Sequence, residues 1–310
     1  MTNKEKIITI VGGSGFLGLY LVKLLAQKGY KIRVIARDIE SALSLKTMGE
    51  VGQINLVSAD ISKPESLQNK LNNSFAVINL VGILFEAGKQ KFKTVQENGA
   101  GNLAKMAKVA GAKHFVQISA IGADKIPESK YAVSKLAGER AVLKEFPDAV
   151  IVRPSIIFGA EDNFFNQFAK MATKSPCLPL IGGGKTKFQP VYVGDVAKAI
   201  IAIIESDKFG GNIFEIGGPD IYSFREILEL ICKITGRKPF FNYLPFWLAG
   251  LIGNIFELLP TKPPITSDQV KLLKHDNIVD NKFKTLSDLG IIPESVKNIV
   301  PSYLLRYRNQ

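Results

Sequence analysis

This 310-residue chain predicts an α/β fold: a doubly wound parallel sheet followed by a smaller, mostly helical C-terminal region. Three observations predict it. Apolar runs of strand length alternate with amphipathic helical segments through the first two-thirds of the chain. Those runs are apolar at consecutive positions, so both strand faces are buried, as in sheets covered by helices on both sides. After Pro154 the rhythm changes, and a loop-rich stretch leads into mostly helical sequence.

The strand-like runs are "KIITIVGG" (6–13), "KIRVIAR" (31–37), "INLVSAD" (54–60), "FAVINLVG" (75–82), "HFVQISA" (114–120) and "AVIVRPS" (149–155). Helical stretches such as "GFLGLYLVKLLAQKG" and "NLAKMAKVAGA" lie between them, and right-handed crossovers then wind the sheet on both faces. Residues 1–158 are expected to form the nucleotide-type domain. Residues 159–310 are expected to form the smaller one, with about 189–218 ("GDVAKAIIAIIES", "NIFEIGG") returning to the first.

Directly after the first strand, "GGSGFLG" gives Gly12-x-x-Gly15-x-x-Gly18 at the opening of a helix. Gly12 lets the chain turn sharply, Gly15 lets backbone approach a pyrophosphate, and Gly18 lets helix and strand pack closely. The phosphates would sit on the free N–H groups of the helix N-terminus, so a Rossmann-type dinucleotide site is expected. The second strand ends in "VIARD". Arg37 at its tip suits a 2′-phosphate better than a 2′-hydroxyl, so NADP(H) is favoured over NAD(H); a solvated end-of-strand residue is the alternative. Asp60 is placed to meet the adenine amino group, with turn capping as its rival role. The expected cofactor-contacting set also includes Phe16, Leu17, Ile61, Val81, Gly82, Pro154 and Ile156.

"YAVSK" places Tyr131 and Lys135 four apart, on one helix face, just beyond the fifth strand. Lys135 is expected to hold the nicotinamide ribose and to lower the phenol's pKa by placing a cation nearby. Tyr131 would then act as general acid or base. The bland alternative is two ordinary helix residues.

The glycine pattern, Asn98 in "ENGAGN", Ser119 and Tyr131-x-x-x-Lys135 together resemble the extended and atypical short-chain dehydrogenase/reductases, from residue 7 to about 293, including "LSDLGIIP". The resemblance implies cofactor binding for the glycines, proton relay for Asn98, and catalytic positions at Ser119, Tyr131 and Lys135. One departure stands out: in "ISAIGAD" Ser119 is the sole hydroxyl, whereas the extended enzymes carry a further serine or threonine beyond it. A substrate carbonyl would lose a hydrogen-bond donor where charge develops. A narrower resemblance is carried by "NLVGILFE", "IIFGAEDNFFNQFAKMA", "FQPVYVGDVAKAI" and "ITSDQVKLLKHDNIV", which are similar to the accessory Rossmann-type subunit family of respiratory complex I, subunit nine of its alpha subcomplex. It implies tightly bound NADPH, a place beside the quinone-side junction of the peripheral and membrane arms, and no redox turnover.

"FFNYLPFWLAGLIGNIFELLP" (240–260) is the most apolar stretch. Leu244, Trp247, Leu248, Leu251, Ile252, Ile255, Phe256 and Leu259 follow a 3.6 period, and Gly250, Asn254 and Glu257 mark a polar stripe. The helix expected from Pro245 to Leu259 is too short to span a bilayer, which needs about 20 apolar residues. Burial within the C-terminal region is the favoured expectation. A helix at a membrane surface, or docked on a membrane-side partner, is the alternative.

The net charge is +12. The basic residues are dispersed, with small groups at Lys89–Lys91–Lys93, Lys185–Lys187 and Arg306–Arg308, and no aromatic interleaving, so nucleic acid is not an expected partner. Cys177 and Cys232 read as buried thiols of a reducing compartment. His114 and His275 lack companions at ligand spacing, and no metal is expected. The opening "MTNKEKIITIVGG" has no apolar signal-peptide region, so the expected location is cytoplasmic, or the inner surface of the respiratory membrane if the chain associates there. The first reading is thus an NADP(H)-binding relative of the complex I accessory subunit, with a mainly structural nucleotide. Its rivals are an active oxidoreductase or sugar-nucleotide epimerase using Tyr131 and Lys135, and a quinone- or lipid-binding module near Trp247.

Overall fold

The computed structural model describes residues 2–257 and 263–308. Along the chain, β1 (Ile7–Val11) feeds α1 (Phe16–Gln27), and β2 (Lys31–Ala36), β3 (Ile54–Ser58) and β4 (Ser74–Asn79) follow. Next come α2 (Gly99–Val109), β5 (His114–Ile118), α3 (Lys130–Glu145) and β6 (Val150–Pro154). Beyond them lie β7 (Ile157–Phe158), α4 (Phe164–Lys174), β8 (Cys177–Ile181), β9 (Lys187–Phe188), β10 (Val191–Tyr192), α5 (Val193–Ile204) and β11 (Ile213–Ile216). The chain continues through β12 (Tyr222–Ser223), α6 (Phe224–Thr235), β13 (Phe240–Leu244), α7 (Phe246–Glu257), α8 (Ser267–Leu272) and α9 (Val296–Leu304).

Seven strands form one parallel sheet in the order β3-β2-β1-β4-β5-β6-β11. The continuous apolar runs explain it: Ile8, Ile10, Val34, Ile35, Val77, Ile78 and Val116 have no exposed surface, and they face alternate sides. On one face Ile8, Ile10 and Val34 pack with Leu21 and Leu25 of α1 and Ile200 of α5. On the other, Ile35, Val77 and Ile151 pack with Leu103 of α2 and Val142 of α3. A separate core, rich in phenylalanine, joins Phe158, Phe165, Phe188 and Phe224 to Ile227 and Val300.

The sheet is pinned at its β6–β11 edge by a buried ion cluster. Arg153 is 2% exposed; it donates bidentately to Glu139 (2.8 and 2.7 Å) and to Asp124 (2.8 Å), with Glu215 of β11 at 3.5 Å. Both cysteines are free; Cys232 is buried, whereas Cys177 is only half-buried.

The stretch 240–257 departs from expectation in two ways. "FFNYL" forms β13, parallel to β8 with Phe240 opposite Cys177 and Leu244 opposite Ile181. The helix after it, α7, is not buried: it buries Ala249 and Gly253, while Trp247 (72% exposed), Leu251 (51%) and Ile255 (55%) face out; Phe240 and Tyr243 of β13 are exposed too. The cause is steric. A Cβ on Gly253 would meet the backbone of Thr266 and Ser267, so α8 packs on the small-residue stripe of α7 and the bulky stripe remains outside. The expected helix end at Leu259 lies outside the described residues. No helix among the described residues is long and apolar enough to cross a membrane.

Candidate functional site

The turn between β1 and α1 has the geometry its glycines predict. Gly12 adopts φ +82°, and its N–H donates to the Ile35 carbonyl at 2.9 Å. A Cβ on Gly18 would collide with the Gly13 backbone, so only glycine permits this approach of helix to strand. The side chains of Ser129, Ser223, Thr266 and Ser295 cap α3, α6, α8 and α9; α2, α4 and α5 carry no cap from their N-cap side chain, and neither does α1, which starts at Gly15. Its leading N–H groups are thereby left for an anion.

A cavity of about 260 Å³ opens beside this turn. It gathers Gly12, Gly15, Arg37, Asp60, Ile61, Val81 and Gly82 from the expected set, together with Gln90, which the sequence reading did not name. Arg37 is exposed at the end of β2. Asp60 borders the cavity and also caps a turn. Partial burial works against its charge, but hydrogen bonds from the Ser62 hydroxyl (2.7 Å) and N–H (2.9 Å), with Arg37 and Lys63 nearby, hold the carboxyl below its usual range.

Other expected contacts are set apart from that cavity. Leu17 and Gly18 are buried in α1, and Phe16 packs edge-on against Tyr20 with its ring toward Gly159. Pro154 is buried in β6, opposite Ile216, and Ile156 packs on the phenylalanine-rich core.

Tyr131 and Lys135 occupy the first two turns of α3. The Lys135 ammonium donates to the Ile118 carbonyl (3.3 Å), and a Cβ on Gly82 would come within 2.9 Å of it. It lies 5.8 Å from the centre of the Tyr131 ring, which also meets Phe92 edge-on at 6.2 Å. Burial pushes the Tyr131 phenol up to about 12, the reverse of the expected lowering. Burial also brings Lys135 down to about 8, with the Glu139 carboxylate one turn away opposing it. Ser119 is buried, and its hydroxyl has no partner among the described residues.

Asn98, expected as the proton relay, is exposed. The segment Lys93–Asn98 is a π-helical turn that runs into α2, and the Gly99 N–H donates five residues back, to Thr94. This wider turn changes which residues point inward. Gln96 takes the inner position: its carbonyl oxygen accepts from the Ile83 N–H (2.9 Å) and its amide donates to the Ser134 hydroxyl (2.6 Å), which in turn donates to the Tyr131 carbonyl (2.7 Å). Gln96 therefore ties the loop after β4 to α3. Its neighbour Gly138 is obligatory, since a Cβ there would strike the Gln96 carbonyl.

Residues 266–280 form a strap across the β5–α3 loop. His275 pairs with Glu128 (2.6 Å), Asn277 with Ser155 (2.6 Å) and Lys125 with Asp280 (2.9 Å). Asp268 accepts from the Ser129 hydroxyl and from the N–H groups of Lys130 and Tyr131, at 2.8–2.9 Å.

The left-handed Gly12, the α1 N-terminus without a side-chain cap and the orphaned Ser119 hydroxyl all fit a bound dinucleotide. A family model described as the NAD dependent epimerase/dehydratase family matches residues 8–217. The chain belongs to that family. The mitochondrial NADH dehydrogenase (ubiquinone) 1 alpha subcomplex subunit 9 of Arabidopsis thaliana is 34% identical over 313 residues, covering 97% of this chain and 78% of its own length. The Mus musculus protein of the same name is 33% identical over 305 residues, covering 97% of this chain and 80% of its own. These relatives bear out the narrower resemblance read from the residues. The solved triphenylmethane reductase of Citrobacter sp. superposes with a TM-score of 0.74 over 96% of this chain and 99% of its own, at 19% identity, a likeness of fold alone. The epimerase/dehydratase match takes in the glycine turn, the cavity, Gln96, Tyr131 and Lys135; the strap and α7 lie beyond it.

Proposed function

We propose that this epimerase/dehydratase-family protein holds NADP(H) chiefly as a structural element and serves as an accessory subunit docked on a membrane-side protein of a respiratory NADH dehydrogenase. The observation that carries the docking role is the apolar stripe of Trp247, Leu251 and Ile255, four positions apart on one face of α7 and all exposed. Contiguous apolar surface of this kind marks interaction sites. The names of the subunit 9 relatives, which are aligned over 97% of this chain, support the identity of the partner. In this reading the protein is peripheral to the respiratory membrane.

The nucleotide's role follows from its surroundings. Gly12, Gly15 and the N-terminus of α1 would hold the pyrophosphate, Arg37 the 2′-phosphate, and Lys135 with Ser119 the nicotinamide end. When bound, the group supplies hydride chemistry. The protein offers little to exploit it: Asn98 is exposed, and Ser119 has no second hydroxyl beyond it in the sequence.

The deciding experiment denatures freshly purified protein and identifies what it releases. Near one equivalent of NADPH that survives long dialysis supports the structural role. An empty or freely exchanging site favours the rival, an oxidoreductase or epimerase in which Tyr131→Phe abolishes turnover.

A further inference from the structure

The N-terminus of α3 is held from outside its own domain. Ser129, the N-cap, accepts from the Ala132 N–H at 3.2 Å, which leaves the two N–H groups before it. Asp268 takes both: Oδ1 accepts from Lys130 at 2.8 Å, and Oδ2 accepts from Tyr131 at 2.9 Å and from the Ser129 hydroxyl at 2.8 Å. The carboxylate thus meets the positive end of the α3 dipole, where a negative charge is favoured. Asp268 is fixed in turn. It sits in α8, which is capped by Thr266 (3.1 Å to the Gln269 N–H) and held to α7 by Glu257, whose Oε1 accepts from the Ser267 N–H (2.6 Å) and hydroxyl (2.9 Å).

The two residues that α3 presents to the nicotinamide end, Tyr131 and Lys135, lie in the turns that this carboxylate clamps. No other described element makes hydrogen bonds to the N–H groups of Lys130 and Tyr131. A rotation of α3 about its axis would carry Lys135 away from Gly82 and the Ile118 carbonyl. Gln96 holds the helix one turn further on, through Ser134, so the helix has two fixed points: one supplied by the π-helical turn and one by the strap.

We propose that Asp268 is a positioning residue of the nucleotide site, setting the rotation of α3 and hence the placement of Lys135 and Tyr131 at the nicotinamide end. The role presupposes the nucleotide reading given above. It makes the strap part of the site, although its residues lie more than a hundred positions from those they hold, and it connects the site through α8 to the helix that bears the apolar ridge.

The test compares two probes on the full-length protein, emptied of nucleotide: NADPH, which engages both ends of the site, and 2′,5′-ADP, which engages only the adenosine end around Arg37 and Asp60. Asp268→Ala is expected to weaken NADPH about tenfold, as for the loss of a strong helix cap, and to leave 2′,5′-ADP unchanged. Asp268→Asn, which keeps one acceptor oxygen, is expected to fall between and carries the same test should the alanine variant fail to fold. Equal weakening of both probes, or of neither, overturns the positioning role, because a general loss of fold does not distinguish the two ends. Wild-type protein that binds neither probe overturns the nucleotide reading, and the role of Asp268 with it.

Discussion

The side-chain amide of Gln96 stands 2.6 Å from the Ser134 hydroxyl, joining the π-helical turn to the helix that carries Tyr131 and Lys135. Gln96 is buried and uses both ends of its amide, so its loss strands the Ile83 N–H and takes from the Ser134 hydroxyl the donor it accepts from. Gln96→Ala should cost about 1–3 kcal/mol in denaturant unfolding and weaken nucleotide binding. Asn98→Ala, at an exposed position, should change neither. If the two variants behave alike, the π-helical turn does not set the inward face.

Arg153→Ala removes a buried cation from among Asp124, Glu139 and Glu215. A stability loss of about 3–5 kcal/mol is expected, because the buried carboxylates of Glu139 and Glu215 lose their cation, although Asp124 reaches solvent. Thermal and urea unfolding read this directly. A loss below about 1 kcal/mol would mean that the cluster opens to solvent.

Lys135 brings a pH signature to the nucleotide-free protein. Its folded pKa, about 8, lies below the ordinary lysine value of 10.5. Below pH 8 both states are protonated and the full cost of the buried charge is present. Between the two values the unfolded chain holds a proton that the folded chain has released, so stability rises with pH across that window. Relative to Lys135→Met, wild type should gain up to about 3 kcal/mol on going from neutral pH to about pH 10. Parallel stability curves for the two proteins would contradict the desolvated ammonium.

Arg37→Ala should separate the two nucleotides. Loss of an arginine that faces a 2′-phosphate is expected to weaken NADPH about tenfold or more and to leave NADH within about twofold. Calorimetric titration with both is sufficient, and equal losses would return Arg37 to the status of a solvated residue.

Trp247→Ser combined with Ile255→Ser alters the ridge without touching a core. Because both side chains are already exposed, the melting temperature should hold or rise, while co-purification with the respiratory NADH dehydrogenase after mild detergent extraction should fail. Retained co-purification would place the interface elsewhere.

Much of this architecture is written locally. The strands of the sheet are legible because burial on two faces demands unbroken apolar runs, and the β1–α1 turn because Gly12 and Gly18 occupy positions that a side chain cannot. The cavity residues followed from the strand ends. What escaped the sequence depends on distance or on a change of helical period. Gln96 was missed because one π-helical turn exchanges the faces of a segment whose spacing reads as ordinary helix. Asp268 was missed because a cap supplied from a remote segment leaves no pattern near the helix it caps. β13 was not foreseen because "FFNYL" is as apolar as "FWLAGL"; the helix start expected at Pro245 stands one residue before α7. The outward ridge was misjudged because periodicity shows that a helix has two faces, and the small residues Ala249 and Gly253, not the large ones, decided which face was covered.

The order of the strands has a consequence for biogenesis. β6 emerges from the ribosome with one neighbour, β5, in place, but its other neighbour, β11, is separated from it by residues 155–212. At about 5–20 residues per second, that edge stays bare for roughly 3–12 s of synthesis. Throughout that interval Arg153 lacks the Glu215 carboxylate, and β6 offers unpaired backbone to any passing strand. The nascent chain is most exposed to misassembly while it is building its phenylalanine-rich core, and a chaperone that shields strand edges would act on it there.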